Sequence, residues 1–285
     1  MIAAEVIADS ISPQGVRLVT IEATMHRFVL AELNTHRVFS RNSASSRAIP
    51  VAKQLEKVIS NAAYPVSWPS EQPGMQGGSE LDGEDLFEAV ELWNQVHYEV
   101  TSRVGAYLDA HPEKSTRLHK SVLNRLLEPF MWHTVVVTAT EWDGFWWQRC
   151  HPAAQPELRV AAEEMRSAFD ASTPTPVAYG EWHLPYTTVE ERRATPNVYW
   201  RKVSAARCAR LSTLTQDGTR SLDADLALFA RLADRPEGHK LFEGDPFHAS
   251  PLEHVATPHH PNFRSTQRGN LRGYHQFRHE YLGGF

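Results

Sequence analysis

The chain has 285 residues, 41% of them hydrophobic and 22% charged, with a formal net charge of −5 and a pI near 6.3. That length can bury a sizeable core. The acidic balance gives no electrostatic footprint for DNA or RNA, which needs clustered Lys and Arg, although a few convergent arginines suffice for one phosphate. Two cysteines, Cys150 and Cys208, point to a reducing compartment rather than a disulfide scaffold. The opening Met1-Ile2-Ala3-Ala4-Glu5 lacks a basic segment followed by an apolar run, and no stretch approaches the length of a membrane span. A cytoplasmic protein is expected.

In chain order, residues 16–23 alternate, are rich in β-formers and follow the turn Ser12-Pro13-Gln14-Gly15, which predicts a strand. Residues 26–34 form a second apolar run, helix or strand. Residues 35–48 are rich in Ser and Arg without Pro or Gly, and read as a loop or an irregular helix start. Pro50 then opens a helix through about residue 62. Residues 63–82, rich in Pro, Gly and Ser, form a long surface loop.

From 84 to 110 the apolar residues Leu86, Val90, Trp93, Val96, Val100 and Val104 recur at helical spacing. A second helical stretch starts near Ser115 and runs to Pro129. Residues 131–147 are strongly apolar and aromatic and read as buried. Residues 156–169 predict another helix with Leu158, Ala161 and Met165 on one face. Residues 173–196 hold several prolines and read as an extended connector. A helix follows near 222–233, its Asp223 and Asp225 suited to the positive N-terminal end. After another loop, a strand over 270–281 closes the chain. Dispersed strands among helices suggest an α+β domain with a mixed or antiparallel sheet and a helical bundle. It is read as one domain over 1–285, with an N-terminal block to about 62, a helical block over 83–172 and a C-terminal block over 197–285.

Arg37, Arg41 and Arg47 lie within eleven residues, together with Ser40, Asn42, Ser43, Ser45 and Ser46. Guanidinium forks bind phosphate bidentately, and hydroxyls and amides add donors. The segment is a phosphate cradle without glycine, or else a solvated loop capping the next helix.

The segment from His36 to Arg47 resembles the signature of flavin-dependent thymidylate synthases. There an Arg-His-Arg triplet is followed, after seven residues, by a Ser and then an Arg two further on. His36-Arg37, Ser45 and Arg47 occupy those places. Arg125-Leu126-Leu127-Glu128-Pro129 and Arg149 with Gln155-Pro156-Glu157-Leu158 resemble the family's second half. Ala206-Arg207-Cys208-Ala209-Arg210-Leu211-Ser212 and His248-Ala249-Ser250-Pro251-Leu252-Glu253-His254 resemble its Ala-Ala-Arg-Val-Ser and His-x-Ser-Pro-x-Glu-His segments. In the family those two blocks precede the Arg-His-Arg motif, whereas here they follow it. A circular permutation accounts for this order. A duplicated strand ending in Arg278-His279 is the alternative.

The chain departs from the pattern at Thr35, which replaces the first Arg of the triplet and whose charge Arg278 is expected to supply. It also departs at Ser43, at Thr138-Ala139-Thr140 in place of Asn-x-Arg, and at Ala153 in place of a His. The nucleotide side is therefore better preserved than the flavin side.

The resemblance implies a cytoplasmic homo-oligomer, a tetramer with shared sites. It implies transfer of a one-carbon unit from methylenetetrahydrofolate to C5 of dUMP, giving dTMP, with FAD as cofactor and NADPH as reductant. Ser45, Arg47 and Arg125 are then expected on the nucleotide phosphate. Arg149 is expected to face the pyrimidine and polarise its carbonyl. His36, Arg37, Ser212, His248, Ser250 and Arg278 are expected around the flavin. No cysteine nucleophile is required. His275 and His279, at i and i+4, form the one candidate metal pair and read as packing residues. Trp142, Phe145, Trp146 and Trp147 read as core more than as stacking surface. Three alternatives stay beside the leading reading: a related pyrimidine hydroxymethylase, a nucleotide-binding protein without catalysis, and an RNA-binding module.

Overall fold

Strands β1 (Ala3–Ile11) and β2 (Arg17–His26) pair antiparallel across a tight turn in which Gly15 takes a φ of +79°. That conformation costs glycine nothing and strains other residues. β2 in turn pairs antiparallel with β4 (Trp132–Ala139), with Ile21 opposite Val137. β3 (Ser40–Ser43) pairs on the far side of β4, and β5 (Thr175–Pro176) lies parallel to β1. The mixed sheet thus runs β3-β4-β2-β1-β5. We describe this computed structural model for residues 1–212, 221–233, 248–260 and 269–281. The loop expected after residue 233 falls on 234–247, outside the described residues.

The period of two decides what each sheet face meets. Val19, Ile21, Ala23, Met25, Val135, Val137 and Ala139 pack with α5 (Asp143–Arg149) and α6 (Pro156–Ala171). Pro156 starts α6, and Leu158, Ala161, Ala162 and Met165 form its buried stripe. Each fully buried Leu or Ile here contributes roughly 1.5–3 kcal/mol. The opposite face meets the C-terminal third: Leu18 touches Ala256, Leu271 and Tyr274, while Glu22 accepts a 2.5 Å hydrogen bond from the Tyr186 hydroxyl. Because both faces are covered, β2 is buried along nearly its whole length.

A second layer holds α2 (Val51–Ser60), α3 (Gly83–Ala110) and α4 (Lys120–Leu126) around Val51, Val58, Val104, Leu123, Leu127 and Phe130. α3 leaves Phe87, Leu92, Val96 and Tyr98 exposed. The C-terminal third consists of α7 (Val189–Ala194), α8 (Trp200–Ala209), α9 (Leu222–Leu232), the β6 (Ala256–Pro258) and β7 (Tyr274–Gln276) ribbon, and α10 (Arg278–Tyr281). Buried Arg207 holds it together, bonding Asp225 at 2.8 Å, Glu191 at 3.0 Å and the Tyr186 carbonyl at 2.7 Å. Tyr186 itself sits at a φ of +60°, a strained position for a bulky residue, and these bonds fix it there.

The α+β class with a mixed sheet is as expected, and several element readings are corrected. Residues 35–48 contain a strand, β3, because the buried backbone of β4 offers a hydrogen-bonding edge that polar residues can satisfy. The run 26–34 becomes a 3-10 turn, Arg27–Val29, followed by α1 (Leu30–Leu33). The helix expected from Ser115 starts at Lys120, where His119 caps it by accepting from the Ser121 amide. The connector 173–196 hides α7, started by a capping box between Thr188 and Glu191. The closing strand is only three residues long before α10 takes over. Among the described residues no helix is long and apolar enough to cross a membrane.

Candidate functional site

β3 delivers the Ser-rich segment to α4, and α4 shapes it. Asn124 donates both amide hydrogens, one to the Ser46 carbonyl at 2.8 Å and one to the Ile49 carbonyl at 2.9 Å. Ser45 accepts from the Arg47 amide at 3.2 Å, and its carbonyl accepts from Ala48 at 2.9 Å. The resulting turn walls an open cavity of about 510 Å³ lined by Ser43, Ser45, Ser46 and Arg47, by Ser121 and Arg125 of α4, and by Arg27. Ser45, Arg47 and Arg125, expected on one phosphate, are therefore brought together from positions some eighty residues apart. Three guanidinium groups and four hydroxyls around one opening suit a phosphate.

A second, more enclosed cavity of about 350 Å³ lies behind this turn and shares Arg27, Ala44, Ser45 and Ser46 with the first. Its walls include Gln54, Asn124, Phe130, Trp132, His133 and Leu211. Arg27 donates to Glu128 at 3.1 Å and to Nε2 of His133 at 3.2 Å. Burial, and then the Arg27 charge, pushes the His133 pKa down to about 3. Arg27, Gln54, Asn124 and His133 were not picked out from the sequence. They lie in separate mixed segments, far apart in the chain.

Arg149 ends α5 away from this turn and is not among the residues lining either cavity. Its Nε donates to Nε2 of His36 at 2.8 Å, and its Nη2 to the Thr35 hydroxyl at 3.1 Å and to the Glu32 carbonyl at 3.4 Å. The His36 ring packs against Phe39 and edge-on to Phe145. Burial, then Arg149 and Arg41, lowers its pKa to about 4. Arg37 is exposed. The charge missing at Thr35 is supplied by Arg149 and not by Arg278, because α10 begins at Arg278 and turns that guanidinium onto Glu253 at 2.7 Å.

The C-terminal residues meet the chain along β3. The Ser250 hydroxyl donates to Oδ1 of Asn42 at 3.2 Å and lies 3.4 Å from Nδ1 of His248. The Asn42 amide donates to the Cys208 carbonyl at 2.7 Å, and Gln276 donates to the Ser40 hydroxyl at 2.9 Å. Ser212 closes the 3-10 turn Arg210–Ser212, whose Leu211 borders the enclosed cavity. Arg278 Nε, Gln276 Oε1 and His254 Nε2 are buried without a hydrogen-bond partner among the described residues. Trp142, Phe145 and Trp146 are core, while Trp147 is 80% exposed. Burial pushes both thiols, Cys150 and Cys208, up from their ordinary range, which makes them poor nucleophiles.

No family model matches the chain, and no curated protein matches it. Among solved structures, it is similar to the UMP/dUMP methylase PolB from Streptomyces cacaoi bound with 5-Br dUMP. That likeness has 16% identity and a TM-score of 0.47, and covers 59% of this chain and 90% of the other. It is likewise similar to the same methylase bound with 5-Br UMP, at 14% identity and a TM-score of 0.45, covering 59% of this chain and 88% of the other.

Proposed function

We propose that this protein is an enzyme that adds a one-carbon unit to C5 of a pyrimidine nucleotide, most simply converting dUMP to dTMP with methylenetetrahydrofolate, FAD and NADPH. One observation carries the reading: Ser45, Arg47 and Arg125 line a single cavity. The phosphate accepts from the Ser45 hydroxyl and from the forks of Arg47 and Arg125, and Arg27 adds charge at the back.

The flavin supplies the hydride that reduces the transferred carbon. Exposed Arg37 just before β3 and exposed His248, with half-buried Ser250 bonded to Asn42 of β3, are the residues that would hold such a group. Ser212 stands at the end of the adjoining turn. Arg149 keeps His36 neutral and oriented. Exposed Val122 and Leu126, one turn apart on α4 beside Ser121 and Arg125, with exposed Leu118 just before the helix, support a second copy at the nucleotide site.

The purified protein is tested first for flavin absorbance, alone and after adding FAD. It is then incubated with dUMP, methylenetetrahydrofolate and NADPH, and the product is weighed. Bound flavin and a methylated product support the reading. A hydroxymethylated product shifts it to the related hydroxymethylase. Nucleotide binding by a protein that never takes up flavin reduces it to a binding protein.

A further inference from the structure

Three nearly buried polar side chains, Asn124, Gln54 and His133, line the enclosed cavity behind Ser46. Asn124 is 1% exposed, and both its amide hydrogens are committed to the Ser46 and Ile49 carbonyls. Those two bonds forbid an amide flip, and Oδ1 is buried without a partner among the described residues. Left empty, such an acceptor is costly. Gln54 is 4% exposed on α2 and lines the same cavity. His133 is 3% exposed. A guanidinium only donates, so Nε2 of His133 accepts from Arg27 and the ring proton resides on Nδ1. The imidazole is thus a neutral donor of fixed tautomer. Trp132 and Phe130 add aromatic wall. The volume, about 350 Å³, suits a small organic ligand.

This cavity adjoins the cationic opening through Arg27, Ala44, Ser45 and Ser46. A phosphate and an uncharged ring system joined by a short polar link match that pair of compartments. We propose that the enclosed cavity is the nucleoside subsite, in which the imide edge of a pyrimidine meets Gln54 and His133. The inference rests on the nucleotide reading and adds the residues that read the base. The Gln54 amide, with one donor and one acceptor, pairs with N3–H and a carbonyl of uracil. The Nδ1–H of His133 donates to the other carbonyl. A base entering by its imide edge leaves C5 and C6 at the mouth, where C5 chemistry requires them. The sugar then lies by Ser46, which borders both compartments and whose carbonyl Asn124 holds in place.

Calorimetry with dUMP, deoxyribose 5-phosphate and inorganic phosphate tests this on the full chain. Wild type is expected to bind dUMP at least about tenfold more tightly than deoxyribose 5-phosphate, the base supplying the difference. Gln54→Leu, which keeps the size and orphans no partner, is expected to remove most of that ratio while leaving phosphate affinity unchanged. His133→Asn, which keeps an acceptor for Arg27 and repositions the donor, is the second variant and is expected to reduce the ratio likewise. Equal binding of dUMP and deoxyribose 5-phosphate by wild type, or an undiminished ratio in both folded variants, overturns the subsite. The cradle is probed separately by Arg47→Ala. If that variant still binds all three ligands as wild type does, the phosphate reading fails instead.

Discussion

Arg149 donates through Nε to Nε2 of His36 across 2.8 Å, joining the end of α5 to a turn 113 positions earlier. The bond fixes the histidine as the Nδ1–H tautomer, since the guanidinium cannot accept. It also places a permanent charge beside the ring, which with burial holds the His36 pKa near 4. Arg149→Gln removes that charge. The His36 pKa is expected to rise toward the ordinary value, as read from its imidazole resonances in an NMR titration. An unchanged pKa assigns the whole depression to burial.

Acid sensitivity is expected from a buried chain that crosses the sheet. Ser10 bonds Nδ1 of His183 at 2.7 Å, Thr20 joins Nε2 of His183 and the Thr138 hydroxyl, and Thr138 bonds Nδ1 of His254 at 2.8 Å. Burial lowers both histidines to about 3. The unfolded chain takes up these protons near pH 6.5, so stability holds above that pH and falls as pH drops from there toward 3. Urea midpoints measured at about pH 7.5 and about pH 5 are expected to differ, with the lower value in acid. Thr20→Val takes this partner from His183 Nε2 and from the Thr138 hydroxyl, and is expected to cost about 1–3 kcal/mol at neutral pH.

Arg47 and Arg125 are exposed, so their removal should spare the fold. Arg47→Ala and Arg125→Ala are each expected to weaken dUMP binding by about ten- to a hundredfold, the equivalent of about 1.5–3 kcal/mol for a charge-assisted bond. Melting temperatures are expected to stay near wild type. Unchanged affinity in either variant removes that arginine from the site.

Asp225, 4% exposed, balances Arg207 at 2.8 Å and Arg210 at 3.1 Å. Asp225→Asn leaves Arg207 with Glu191 alone among its carboxylates. A cost of about 3–5 kcal/mol is expected from breaking a buried pair. Hydrogen exchange should show α8 and α9 loosened before the sheet. Protection lost evenly over the chain would mean that this cluster does not hold the C-terminal third by itself.

The stripe Leu118, Val122 and Leu126 gives the oligomer its own test. Val122→Glu is expected to lower the molar mass in size-exclusion light scattering and to weaken nucleotide turnover more than nucleotide binding. Retention of the wild-type mass would show that this stripe is not a contact between copies.

Periodicity alone determined the long elements of this protein. The spacing of Trp93, Val100 and Val104 marks α3, and Pro156 with Leu158, Ala161 and Met165 marks α6, because burial of one helix face leaves a repeat in the sequence. Ser45 and Arg47 were legible as part of a Ser- and Arg-rich segment, whereas Arg125, set among leucines, was reached only through the family resemblance. Tertiary structure alone decided the rest. β3 is a strand because β4 offers an edge, a fact written in β4 and not in Ser40–Ser43. Arg149 stands beside Thr35, and Arg278 beside Glu253, because chain packing and not sequence order sets which charges meet. The enclosed cavity of Gln54, Asn124 and His133 has no signature at all. Three polar residues scattered over eighty positions acquire meaning only when folding brings them to one space and takes away the water that would otherwise satisfy them.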